Sequence, residues 1–135
     1  MNTPYNKWLE AQMGSTPINW ATDTIRVVAL SSAYTFSQSH QFHSDLTGVL
    51  GTATLGSKTA TNGVLDAADA VISGVLASAP AAIVIEKWTG TAGTSQLMLF
   101  FDTGIGFGQT PTGDTTTIFP NDANIKLFPL GGAPR

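Results

Sequence analysis

Apolar positions in this chain fall in short runs separated by Gly, Pro, Asn, Asp and Thr-rich turns, and the best organised stretch spans residues 81 to 102. Its two runs, AAIVIEKW and SQLMLFFD, are joined by the turn TGTAGT. Both are short and rich in β-branched or aromatic residues, which predicts strands, and the pair predicts an antiparallel hairpin at the centre of a sheet. Alternation sets Leu97, Leu99 and Phe101 on one face, toward the interior, and Met98 and Phe100 on the other, so that both faces need cover.

The rest of the chain repeats this grammar in weaker form. Thr3 and Pro4 suit a helix N-cap and first helical position, after which Tyr5, Trp8, Leu9 and Met13 recur at helical spacing until Gly14. TIRVVAL (24–30) is the first long strand, with Arg26 its one charge. Residues 31–46 form a long connection carrying Tyr34, Phe36 and Phe42, with a short strand around Gln41 to His43. Thr52 to Leu55, Lys58 to Thr61, Val64 to Leu65 and Val71 to Ala77 are further short strands, with a turn at Asp66 to Asp69. A Gly-rich loop from Gly104 to Gly113 precedes a closing hairpin, Thr115 to Phe119 with Asn124 to Phe128. The pattern predicts a mainly β chain: a single-domain antiparallel β-sandwich of seven to eight strands with a short N-terminal helix, a barrel being the alternative. One domain spans 1–135, with 1–16 as a helical arm and 129–135 as a flexible tail.

Composition changes this picture in one respect. Only 11% of residues are charged, against about 25% in ordinary domains. Two readings fit: a Thr-rich surface that is simply solvated, or one covered by neighbouring subunits, where charges are depleted. Net charge is −3 with six Lys and Arg in all, scattered singly, so no basic stripe follows a phosphate backbone and nucleic acid is not an expected partner. The chain has no cysteine, hence no disulfide framework or thiolate metal site. No apolar run reaches membrane-spanning length and the N-terminus lacks signal-peptide character, so no membrane partner and synthesis in a cytoplasm are expected.

Candidate chemistry is sparse. His40, His43 and Asp45 form H-x-x-H-x-D, but residues three apart on a strand point to opposite faces, so the imidazoles converge on a metal only if the segment turns. Asp66 and Asp69 read as an acidic turn, since calcium needs more oxygens than two carboxylate residues bring. The run GIGFG from Gly104 has the glycines of a phosphate loop without its lysine or following helix. No serine sits in a nucleophile elbow. The expectation is no catalytic residue, no metal, no cofactor and no enzyme activity.

The segments INWATDTIRVVAL, NGVLDAADAVIS, AIVIEKWTGTAGTSQLMLFFDTG and TPTGDTTTIFPNDANIKLF resemble a family of small virion proteins of tailed bacteriophages. The resemblance covers residues 18 to 128, and the opening from Tyr5 to Met13 is also similar. It rests most on the strand at Asp23 to Leu30, the DAAD step at Asp66 to Asp69 and the turn at Thr89 to Ser95. Trp88 departs from the family, standing where an acidic residue is usual. The resemblance implies a structural virion component assembled in the host cytoplasm: a head decoration or cement protein that binds the major capsid protein and copies of itself, as a trimer. The rival is a tail or head-fibre component, or a receptor-binding module for host surface glycan. Tyr5, Trp8, Leu9, Met13 and Trp88 are the expected interface residues, aromatic anchors being the dominant contributors at interfaces.

Overall fold

A computed structural model describes residues 2–14, 17–61, 64–74, 76–103, 107–109, 111, 113, 115–118 and 126–128. The chain is mainly β. Strands form at Asn2–Pro4 (β1), Ile25–Leu30 (β2), Val49–Thr54 (β3), Thr59–Thr61 (β4), Val64–Asp66 (β5), Ala70–Ile72 (β6), Ala82–Lys87 (β7), Leu97–Phe101 (β8), Thr115–Ile118 (β9) and Lys126–Phe128 (β10), with one α-helix, α1, at Asn6–Met13. Ten strands thus form among the described residues. Five of them are three-residue pairings, too short for a hydrophobic period to announce.

The principal sheet has five strands in the order β1-β8-β7-β2-β3, and all of its pairings are antiparallel. It is open, not closed into a barrel. The β7–β8 hairpin occupies its middle, as the sequence predicts, because AIVIEK and its partner IRVVAL are apolar on both sides and fit only where both faces are covered. Two shorter ladders are separate: β10-β9-β6, which includes the expected closing hairpin, and β4-β5.

The alternation expected for β8 is not the one observed. Ile85 pairs with Leu99 but Glu86 pairs with Leu97, so β8 carries an extra residue, Met98, opposite that step. A bulge of this kind breaks the two-residue period. Leu97 and Phe100 therefore lie in one apolar cluster, while Met98, Leu99 and Phe101 face the other.

The N-terminus also departs from expectation. Thr3 and Pro4 do not start the helix; they belong to β1, paired with Phe100 and Leu99 at the sheet edge. Pro4 is tolerated there because an edge strand does not need its missing N–H. Tyr5 takes the N-cap position and Gly14 the C-cap, giving a helix of eight residues. The short strand expected around Gln41 to His43 reduces to a single bridge between Phe42 and Gln96, and a 3-10 turn at His43–Asp45 follows. The strand expected over 71–77 closes at Ile72. The tail 129–135 lies outside the described residues.

The two faces of the principal sheet carry different cores. On one, Ile25, Val27, Ala29, Ile83, Ile85 and Met98 pack with Trp20, Leu55, Ile72 and Leu76. Here β6 rests on β3 at Gly51, where an added Cβ would come within 2.5 Å of the Ile72 side chain and 3.2 Å of that of Leu76; glycine permits that approach. On the other face, Val28, Leu30, Ala82, Val84, Leu97 and Phe100 pack with Tyr5, Tyr34 and Leu46. That cover is the start of α1 and the connection 31–48.

Candidate functional site

The second face ends in a charged cluster at the mouth of the central hairpin. Three elements build it. Glu86 sits on β7 with its side chain turned to the second face, fully buried. Its neighbour on β2 is Arg26, whose Nε and Nη2 both donate to Oε2, at 3.1 and 2.9 Å. From the 3-10 turn, His43 brings Nδ1 to 2.6 Å from Oε1. The carboxylate is thus shared between a guanidinium and an imidazole, which satisfies both oxygens of a buried charge that would otherwise be prohibitive.

Trp88 closes the cluster from the end of β7. The Arg26 guanidinium carbon lies 3.5 Å from the centroid of its ring, a cation–π stack. The His43 ring meets it edge-on, with centroids 5.5 Å apart. Arg26 and His43 keep 14% and 17% of their side-chain exposure, so the cluster reaches solvent at its rim. The backbone beside it is equally tied: His43 N–H donates to Ser95 C=O and Leu97 N–H to Gln41 C=O, each at 2.9 Å. Chemically, the arrangement fixes one imidazole by its Nδ1 and clamps the 31–48 connection onto the hairpin.

A second chain of polar contacts runs under the same cover. The hydroxyls of Tyr5 and Tyr34 share a hydrogen bond of 2.9 Å, and the Tyr34 hydroxyl lies 2.7 Å from His40 Nδ1. Burial, reinforced by the bond to Tyr34, pushes the Tyr5 hydroxyl far above the ordinary tyrosine range. Burial also raises Tyr34. Around them Phe36 and Phe100 stack, ring centroids 4.6 Å apart, with Tyr5 5.2 Å from Phe36. Asp45 accepts the N–H groups of Gln41 (2.8 Å) and Phe42 (3.0 Å), and those two bonds hold its carboxyl below the usual carboxylate range.

The residues singled out from sequence are therefore dispersed. His40 goes to Tyr34 and His43 to Glu86, while Asp45 turns to backbone; among the described residues no three His, Asp or Glu side chains gather as a metal would require. Asp66 accepts the N–H of Ala67, and Gly104 to Gly106 lie outside the described residues. Of the expected interface set, Tyr5 is wholly buried in the chain's own core and has no surface to offer a partner. Its position immediately after β1 explains this, because the strand delivers the ring directly under the sheet; its N–H donates to Met98 C=O at 2.9 Å. Trp8 is half-buried against both cores, with Nε1 enclosed and unpartnered. Leu9 and Met13 are exposed, Met13 by 83%. Trp88 has one face occupied by Arg26.

Sequence reasoning missed Arg26 and Glu86. The signal was there: Arg26 is the one charge in β2 and Glu86 follows the apolar run AIVI in β7, and charges are rarely buried unpaired. Their partnership required knowing that β2 and β7 are neighbours in register, which no short-range pattern gives. No helix among the described residues is long and apolar enough to cross a membrane. Comparisons of the chain with family models, curated proteins and solved structures return no match.

Proposed function

We propose that the chain is a structural component of a bacteriophage virion, a decoration or cement protein that sits on the outside of the head, touches the major capsid protein and copies of itself, and stabilises the shell through non-covalent contact. The observation that carries this reading is where the charges go. Among the residues whose side chains are described, every cation is engaged within the chain: Lys7 with Glu10, Arg26 with Glu86, Lys58 with the Asp23 carbonyl, and Lys87 with the Asp23 carboxylate. Beside the carboxylates of Glu10, Asp45, Asp69 and Asp102, the outward side chains include many of Thr, Ser, Gly and Ala with scattered apolar ones, a surface with few unpaired cations and suited to close packing against protein. The likeness to small tailed-phage virion proteins supports the same conclusion. The cores on both faces of the principal sheet support a sandwich as the finer architecture, with the β10-β9-β6 ladder as part of the second layer.

Such a protein acts by mass action, adding contact free energy to the assembled state and none to the dissociated one. The test is to mix purified chain with empty phage heads and count bound copies by cryo-electron microscopy. Hundreds of copies on the shell, with a raised melting temperature of the heads, are expected. Binding only at the tail or at fibres would replace this reading with a receptor- or glycan-binding one, and no binding to any virion part would remove it.

A further inference from the structure

We propose that two copies of this chain pair edge to edge through β3, antiparallel about a two-fold axis, extending the five-stranded sheet into a continuous one of two subunits. The two edges of the principal sheet are unlike. At the β1 edge the strand is three residues long, ends on Pro4 and runs directly into α1. Asn2 ties the start of this strand to the end of β8: its side-chain oxygen accepts the N–H groups of Asp102 and Thr103 while its amide donates to the Thr103 carbonyl. That edge is blunted in the ways natural sheets use to prevent association.

The β3 edge is longer and carries neither proline nor charge; a shift of register opposite Ala29 and Leu30 sets Leu50 out of the ladder and leaves Gly51 to Thr54 as its regular stretch. It is six residues long, VLGTAT, and contains no proline. No charged residue occurs from Leu46 to Ser57. In the ladder with β2, Leu55 N–H donates to Ile25 C=O at 2.8 Å, and the register Val27 to Ala53 and Ala29 to Gly51 continues the same phase. Alternate residues therefore turn inward, and Thr52 and Thr54 direct their N–H and C=O groups away from the sheet. No hydrogen bond to any of these outward groups is formed among the described residues. β6 does not fill the gap, because Ile72 meets Gly51 on the side where a Cβ would stand, over the face of β3 and not beside its edge.

The occupant is argued from self-complementarity. An open strand edge is a template for another strand. About a two-fold at Thr52, that residue faces its own copy and Gly51 faces Ala53, within the regular stretch of the strand, so that no like charges meet and threonine pairs with threonine, a favourable cross-strand pair. Of the four large apolar side chains exposed among the described residues, Val49 lies on β3. With one edge open and the other closed, the sheet can grow once and then stops, which gives a closed pair and not a filament. This inference does not rest on the virion reading, and it assigns a two-fold contact where the family setting implies a three-fold one.

The experiment is sedimentation velocity on the purified chain over a dilution series, with amide hydrogen exchange on the same samples. The wild type is expected to sediment as a dimer that dissociates on dilution, with Thr52 and Thr54 amides protected in the dimer and exchanging freely in the monomer. Thr52→Pro removes an outward donor while leaving the β2 ladder intact, and Val49→Lys places a charge at the edge without touching the backbone; each should weaken the dimer by at least about tenfold. Met13→Ser, at the other exposed apolar site, should leave it unchanged. If Thr52→Pro does not fold, Val49→Lys with the exchange data decides. A monomer at all concentrations, a trimer, or a dimer indifferent to both edge variants overturns the proposal.

Discussion

The two faces of the central sheet solve the same problem by different means. One is covered by aliphatic side chains around Ile83, Ile85 and Ile72, with a part-buried polar link from Trp20 Nε1 to the Asp66 carbonyl at 3.0 Å. The other is covered by a long connection whose fit is set by named polar contacts, Arg26–Glu86–His43 and Tyr5–Tyr34–His40. Apolar burial is roughly proportional to area and indifferent to orientation, so the first face tolerates conservative repacking. Hydrogen-bonded charges are directional and costly when left half-made. The second face is thus the more specific of the two and the more sensitive to a single polar substitution.

The largest expected effect breaks the aromatic core beneath that cover. Phe100→Ala should cost about 3–5 kcal/mol in chemical denaturation, and clearly more than Phe101→Ala, because Phe100 is enclosed by Tyr5, Tyr34 and Phe36 whereas Phe101 is partly exposed. Equal costs would mean that the aromatic cover of the second face adds nothing to the burial of Phe100. Next is Glu86→Gln, which strands the Arg26 guanidinium; since Arg26 and His43 reach the surface, the loss should lie at the lower end of the about 3–5 kcal/mol seen when a buried pair is broken. Adding Arg26→Met should recover part of it, whereas additive losses would show that the two residues do not act as a pair.

Smaller effects sharpen the contrast. Tyr5→Phe removes one hydroxyl from the Tyr5–Tyr34–His40 chain and should cost about 1 kcal/mol, with no effect on the aliphatic side. Asp45 supplies a pH signature. Its folded carboxyl titrates below its unfolded one because two backbone N–H groups bond the charged form. Its contribution is therefore complete above about pH 4 and is lost as the pH falls through the lowered folded value. Urea melts across that range should show the acid limb flattened in Asp45→Asn, and an unchanged limb would show that these bonds contribute nothing to stability.

Much of the sheet was legible because β-branched runs such as IRVVAL and AIVIEK have no other stable use, and the TGTAGT turn between two apolar strands leaves one connection. The bulge was not legible: it exists only in the register of β8 against β7, where Ile85 meets Leu99 but Glu86 meets Leu97. The same holds for β1, since Thr3 and Pro4 are good helix-start residues and only the vacant edge of β8 recruits them into the sheet. Tyr5 looks like an anchor for a partner in sequence because a large aromatic near a terminus looks the same whether it serves a partner or, as here, the chain's own core. Arg26 in β2 and Glu86 in β7, charges set in apolar strands, were the clue to the candidate site, and their pairing is a tertiary fact.

The most direct test of the two-face account is residue-resolved amide exchange on Glu86→Gln. The account predicts faster exchange at His43 and Leu97, whose N–H groups tie the 31–48 connection to the hairpin, while the β2–β7 ladder amides of Val28 and Val84 keep their protection relative to global unfolding. Equal loss of protection at all four sites, or none at His43 and Leu97, would contradict it.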